Sequence, residues 1–573
     1  MLRQEKEKWT NRSDVEEGET IAKAIVVESL VFRGENMKRL ICILSVWCMV
    51  YSAWAIPARR GGIVVTQPDG SELTVYRHGD EHFHWMTNEK GEWLQQDVDG
   101  FYRETEALSS AEIAVRRMAS PMRATQEAYP LNIAPRGLVI LVNFQDVQFT
   151  TSKAEMDSML MGKNYTRDYS YVYEGETIHV QSEGSARQYF YDSSDGQYNP
   201  QFDVVGPVTV KREAEYYGKN NKWGNDVRPF LMIQEACKLA DSTVDFSLYD
   251  NDDDGYVDFV YVIYAGYGEA DGGDASTVWP HSHVLSASGV WCEVDGKEIE
   301  LYACGNEMDY VTKHTMGIGP FCHEFSHVLG LPDLYTTGGE GHKTLGEWSL
   351  LDYGPYSNEA NTPPSYSAYE RFMLGWLTPR VLVEPEMVKL QELQESNEAL
   401  LISTTDAHNL IGNNPDPASF YLLENRQQKG WDRYLPGHGL MLTKVQYSYE
   451  KWYANTVNNK EAEMGVDLIE ADGEIPSKSN KGYNGKASDL FPTGASEYLD
   501  IIDRPIRDID DRDGVVSFLY KLATSVDEVE KEAENVVAIY TILGQKQETT
   551  DVESLPHGIY VVVTSTGNHK IVR

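Results

Sequence analysis

Two histidines four residues apart, with a glutamate beside the first, lie in the segment Phe321-Cys-His-Glu-Phe-Ser-His-Val-Leu-Gly-Leu-Pro-Asp333. On a helix that spacing puts His323 and His327 on one face, where both imidazoles reach a single Zn²⁺. Glu324 is a poor ligand from its position but is well placed as the general base that takes a proton from a metal-activated water. The third ligand has to come from beyond the helix. Gly330 can take up the left-handed conformation that ends helices, Pro332 prevents resumption, and Asp333, ten residues after His323, arrives as an oxygen ligand. Three protein ligands and one open position are the arrangement of a catalytic zinc centre. The chemistry expected is hydrolysis of peptide bonds by activated water, with no covalent intermediate. The alternative is a helix whose histidines only pack.

A second cluster is acidic. Asp250, Asp252, Asp254 and Asp258 put carboxylates around Gly255, a residue suited to a sharp turn, as oxygen-seeking cations require. It is not a full EF-hand, because its twelfth position is Tyr261 and a strand follows where a helix should be. The reading is structural Ca²⁺, with a solvated acidic turn as the alternative. His281 and His283 alternate as on a strand and are expected to pack or hydrogen-bond, and His78, His82 and His84 are likewise taken as non-ligands.

These residues need a scaffold, and at 573 residues the chain is long enough for three or four units. Gly61 to about Ala107 alternates short apolar runs with turn signals, as a small meander of strands does. Gly137-Leu-Val-Ile-Leu-Val-Asn143 and Phe259 to Ala265 read as buried strands, and Pro229 to Ala240 has helical periodicity. After Pro385 short strands dominate. The fold class expected is α+β, organised as 56–135 (propeptide-like β unit and linker), 136–385 (catalytic domain), 386–522 (β-rich domain packed on it) and 523–573 (linker and terminal β unit).

Residues 37–55, with Lys38 and Arg39 before an apolar run and Ala53-Trp54-Ala55 at its end, read as a secretory signal peptide cleaved before Ile56. Residues 1–36 then read as a start called too early. No membrane span is expected after cleavage, and the localisation expected is secreted or cell surface. The formal charge, 50 − 89 = −39, repels phosphate backbones and anionic lipid, so no nucleic-acid partner is expected. Four cysteines remain after cleavage: Cys237, Cys292, Cys304 and Cys322. Three pairings are open, as are four free thiols. An Asp295-Gly296 hairpin turn would set Cys292 opposite Ile299, which disfavours a Cys292–Cys304 bridge.

The HEFSHVLGLPDLY segment is similar to that of the M6, or immune inhibitor A-like, metallopeptidases, a branch of the zincins close to the metzincins. The resemblance takes in Asp245 to Asp258, Gly346-Glu-Trp-Ser-Leu-Leu-Asp-Tyr-Gly354, Tyr421-Leu-Leu-Glu-Asn-Arg426 and Gly437-His-Gly439, so it covers roughly residues 136 to 520. It implies a zincin/metzincin-like catalytic domain with an active-site helix, and protein or peptide substrates. Where the family has a methionine in the turn beneath the zinc, this chain has Leu351, which a packing role tolerates. Tyr353 falls where some metzincins place a tyrosine that hydrogen-bonds the developing oxyanion; otherwise it is one packed aromatic among 35 tyrosines. The N-terminal unit resembles propeptides that keep such enzymes latent. The chain end, Ala538 to Gln545 with Leu555 to Tyr560, resembles the C-terminal sorting domains of type IX secretion cargo, which implies that secretion machinery as a partner. Two rivals from other classes are a catalytically dead scaffold that binds host or matrix protein and a calcium-stabilised β-rich module for carbohydrate.

Overall fold

The computed structural model of the chain describes residues 56–80, 83–97, 99–108, 112–113, 134–221, 224–338, 342–474, 485–494, 498–522, 536–541, 544–564 and 568–572. The signal-peptide and upstream segments, His82 and most of both linkers lie outside them. Strands Gly62–Thr66, Glu72–Asp80, Phe83–Thr87, Trp93–Gln96 and Tyr102–Glu104 form an antiparallel meander in chain order. Its small core is Ile63, Val75 and Leu94.

The central sheet runs His281–Val284, Leu301–Met308, Val260–Tyr267, Arg136–Asn143, Gln201–Thr209. The first pair is antiparallel and the others are parallel. Both faces are covered, which is why Arg136–Asn143 reads as an almost unbroken apolar run. Leu138, Ile140 and Val142 join the core beneath helix Pro229–Ala240, while Val139 and Leu141 join the core that contains helix Ile318–Val328. Asp295 and Gly296 turn the hairpin with φ of 52° and 72°, and Cys292 pairs with Ile299. All four cysteines are buried free thiols, and those of Cys237 and Cys292 hydrogen-bond each other.

Every residue of helix Ile318–Val328 is buried. Phe325 anchors it, its ring centroid 4.9 Å from Phe259, 5.0 Å from Phe190 and 5.2 Å from Phe202. At the N-terminal end a Cβ on Gly319 would lie 1.9 Å from the Pro355 carbonyl oxygen, so only glycine lets the following loop approach so closely. At the other end Gly330 has φ +96°, and the chain turns away from the helix there.

Further along the chain, the five-stranded sheet Arg380–Val381, Leu400–Ile402, Ser419–Arg426, Gly439–Gln446, Val466–Leu468 shares a core with the four-stranded sheet Glu386–Leu390, Val515–Tyr520, Arg504–Arg512, Tyr498–Ile501. A last sheet joins Val536–Thr541, Ile559–Thr564 and Asn568–Val572. Among the described residues no helix is long and apolar enough to cross a membrane.

The aromatic anchor predicts that Phe325→Ala costs about 3 to 5 kcal/mol, and Phe325→Leu, which largely refills the space, less than about 1.5 kcal/mol. Urea midpoints of the catalytic-domain transition measure both. Equal midpoints for wild type and Phe325→Ala would mean that the ring does not hold the helix.

Candidate metal centre

His323, His327 and Asp333 come together at one buried point. The two Nε2 atoms are 3.1 Å apart, and each is 3.3 Å from Asp333 Oδ1. For a tetrahedral ion with bonds of about 2.0 to 2.1 Å, ligand atoms should be about 3.3 to 3.4 Å apart, so this triangle is the size a zinc ion needs. Its protonation pattern fits as well. His323 Nδ1 donates to the Leu350 carbonyl and His327 Nδ1 to the Leu331 carbonyl, both at 2.8 Å, so neither Nε2 carries the neutral ring's proton. Burial lowers the His327 pKa, which favours that neutral form. Among the described residues no donor other than the two imidazoles lies against Asp333 Oδ1. Three lone-pair donors with no proton between them are what a cation would satisfy.

Each donor is braced from a different part of the chain. Asn455, at φ 51°, accepts from the Asp333 backbone N–H at 2.8 Å and donates to Asp333 Oδ2 at 2.6 Å. Leu350 sits in a turn where Ser349 Oγ accepts from Leu351 N–H at 3.0 Å and donates to Glu370 Oε1 at 2.7 Å. Glu370 closes a capping box with Ser367 on helix Ala368–Met373. Glu424 Oε2 then takes the Ala368 N–H at 2.6 Å, and the buried guanidinium of Arg426 joins Glu424 at 3.0 Å to Asp432 at 2.7 Å. The Tyr421 to Arg426 motif thus ties the β-rich sheet to the turn beneath the metal point. Leu351 is fully buried there, and its carbonyl takes the Leu334 N–H at 2.7 Å.

Glu324 faces an occupant. Its Oε1 accepts from the Ile56 N–H at 2.8 Å. Trp279 Nε1 donates to the Ile56 carbonyl at 3.1 Å, the Tyr356 hydroxyl to the Pro57 carbonyl at 2.8 Å, and Arg59 N–H to the Ala270 carbonyl at 2.8 Å. The guanidinium of Arg60 lies 3.4 Å from the centroid of the Tyr353 ring and covers it. Residues 56–60 therefore run across the front of the centre. The meander that follows docks through His84, stacked on Trp279 at 4.7 Å and paired with Glu269 at 3.0 Å.

In the acidic loop, carboxylate oxygens of Asp250, Asp252 and Asp254 lie within 4.8 Å of one another, with Lys297 paired to Asp250. Asp258 stays outside the group. It accepts from Asn251 N–H at 2.6 Å and Asn251 Nδ2 at 2.7 Å, and burial pushes its pKa up to about 6. His281 is engaged by the Trp279 carbonyl at 2.7 Å and the Tyr302 hydroxyl at 3.0 Å, and His283 is buried with its ring near Tyr302. Asn455, Ser349, Glu370 and Ile56 are site residues that spacing along the chain did not single out. The signals were the Gly346 to Gly354 motif, which contains Ser349, and the Tyr421 to Arg426 motif, whose contact with the turn is long-range.

A buried helix presenting two imidazoles and a glutamate, closed by an aspartate from the next turn, defines a metallopeptidase-type centre. Residues 133–376 match the family model for the immune inhibitor A peptidase M6 catalytic domain. The chain is 27% identical over 277 residues to immune inhibitor A from Bacillus thuringiensis subsp. alesti, an alignment covering 43% of this chain and 40% of that protein. It is 25% identical over 305 residues to the pre-pro-metalloprotease PrtV of Vibrio cholerae serotype O1, covering 47% of this chain and 33% of PrtV. The chain thus spans less than half the length of these relatives.

Asn455, from the β-rich part, holds Asp333, and loss of a partner that braces a metal-binding side chain typically weakens metal binding by about 10- to 100-fold. Chelator competition should find that loss in Asn455→Ala, with the mixed α+β circular-dichroism spectrum retained. Wild-type affinity in the variant would remove Asn455 from the account.

Proposed function

We propose that the chain is a secreted zinc-dependent endopeptidase in which His323, His327 and Asp333 hold the metal and Glu324 is the general base. The observation that carries this reading is the set of three protonless donors 3.1 to 3.3 Å apart, with Glu324 on the same helix. A zinc ion held there would supply Lewis-acid polarisation of the scissile carbonyl and lower the pKa of water. Glu324 takes the proton from the attacking water and returns it to the departing amine nitrogen. Ile56 N, hydrogen-bonded to Glu324 Oε1, lies where such an amine would be. Tyr353 steadies the developing oxyanion once Arg60 has left its ring.

On this reading the catalytic part is zincin-like, and residues 56–135 are a propeptide that keeps it latent by occupying the front of the centre. The acidic loop holds structural Ca²⁺ through Asp250, Asp252 and Asp254, with Asp258 shaping the loop from beneath. Residues 523–573 serve as a type IX-like sorting domain. Cell fractionation tests that last role: a chain lacking these residues should stay inside the envelope, and its export at the wild-type level would rule the role out.

Casein hydrolysis by chain nicked between residues 109 and 133 should exceed that of the intact chain. In the nicked chain Glu324→Ala should lower the rate by about 10²- to 10⁴-fold, some 3 to 5 kcal/mol of barrier, while elemental analysis still finds zinc. An unchanged rate would take the base role from Glu324; hydrolysis by no form would favour the scaffold. For the acidic loop, a hundredfold excess of Ca²⁺ over Kd adds about 2.7 kcal/mol, so the melting temperature should rise with Ca²⁺ and the rise should vanish in Asp254→Ala. Identical melts with and without Ca²⁺ would leave the loop a solvated turn.

A further inference from the structure

The segment in front of Glu324 carries a cation into a recess built from carboxylates. Arg59 Nη1 lies 2.6 Å from Asp309 Oδ2, and its Nη2 pairs with Glu359. Asp271 contributes a third carboxylate, also in the field of this guanidinium. Asp271 is only 2% exposed; its Oδ2 takes the Tyr310 N–H at 2.8 Å, and its Oδ1 has no donor among the described residues. Tyr171 donates to Glu359 Oε1 at 2.7 Å and completes the wall. A cleft of about 280 Å³, lined by Tyr171, Tyr173, Ile178, Asp271 and Glu359 among others, opens beside Arg59.

The walls belong to the catalytic part, whereas the cation belongs to the N-terminal segment. When that segment leaves, three carboxylates face one another around a space shaped for a guanidinium. Lys313, in the field of Asp271 and Asp309, is one cation against three carboxylates; under-compensated buried charge is unfavourable, and burial together with Asp309 already pushes the Asp271 carboxyl up to about 7. A basic side chain arriving with a substrate would relieve it.

The position of the recess along a substrate follows from the chemistry at Glu324. Hydrolysis leaves the new amine beside Glu324, where Ile56 N now sits, and the residues after it lie on the leaving-amine side of the cut bond. Arg59 is the fourth of these.

We propose that Asp271, Asp309 and Glu359 form a substrate subsite for arginine or lysine at the fourth residue after the scissile bond, which Arg59 occupies in the latent chain. The proposal rests on the peptidase reading above. It is tested on the zinc-loaded chain carrying Arg59→Ala and nicked between residues 109 and 133, with peptides identical except for Arg, Lys, Ala or Glu at that position. The expected kcat/KM is at least tenfold higher for Arg and Lys than for Ala, with Glu lowest. Glu359→Gln or Asp309→Asn, added to Arg59→Ala, should bring the Arg-to-Ala ratio within about twofold. Two variants are needed because Asp309 also takes the Val311 and Thr312 N–H groups at 2.7 and 2.9 Å and shapes its own loop.

A flat profile with hydrolysis intact overturns the subsite, leaves the peptidase reading standing and makes Arg59 a latch alone. If no form hydrolyses any peptide, the peptidase reading is what fails. The recess is then decided by fluorescence anisotropy of a C-terminally labelled hexapeptide with the sequence of residues 56–61 on the nicked Arg59→Ala chain. Binding at least tenfold tighter than that of the same peptide with alanine at its fourth position supports the recess, and equal affinities overturn it.

Discussion

Three electron-pair donors held within 3.3 Å of one another in a buried interior repel each other unless a cation lies between them. The surroundings of the centre are explained by the need to hold them there. Carbonyls of Leu350 and Leu331 fix both imidazoles in one tautomer, and Asn455 grips the aspartate at its backbone and its side chain. Behind these stands a second layer that reaches the β-rich sheet through Glu370, Glu424 and Arg426. Arg426 illustrates the rule for interior charge: it is fully buried and tolerable because two carboxylates and the Ser365 carbonyl satisfy it. The β-rich part is therefore structural support for the centre as well as its neighbour in the chain.

The N-terminal segment lies across the front of the same centre. Its contacts mix hydrogen bonds between its backbone and Trp279, Tyr356 and Ala270, which any peptide could make, with two side-chain-specific ion pairs at Arg59. Backbone contacts of that kind hold a chain in register without regard to sequence, and a charged recess adds selectivity. On the proposed reading, a segment that uses a substrate's own contacts is displaced by substrate once its covalent link is cut, because tethering had supplied its high effective concentration.

The parts of this arrangement legible in the sequence were those set by local spacing. Helical periodicity puts His323 and His327 on one face, and a glycine followed by a proline ends a helix whatever surrounds it, so the meeting of His323, His327 and Asp333 could be read from thirteen consecutive residues. The Asp295-Gly296 turn and its Cys292–Ile299 register were legible for the same reason. Asn455 was not, because it reaches Asp333 across 122 residues and nothing nearby marks it. Ile56 reaches Glu324 across 268. Asp258 shows the limit of local reading: its place in an alternating acidic run suits a cation, but two hydrogen bonds from Asn251 draw its carboxylate away from the other three.

The claim on which the rest depends is that these three side chains hold zinc. X-ray absorption at the zinc edge of protein purified without added metal tests it directly. The account predicts about one zinc per chain, nitrogen or oxygen neighbours at about 2.0 to 2.1 Å, outer-shell scattering from two imidazoles, and no sulfur at about 2.3 Å although Cys322 is adjacent to His323 in sequence. Protein without bound zinc, or zinc ligated by sulfur, would contradict it.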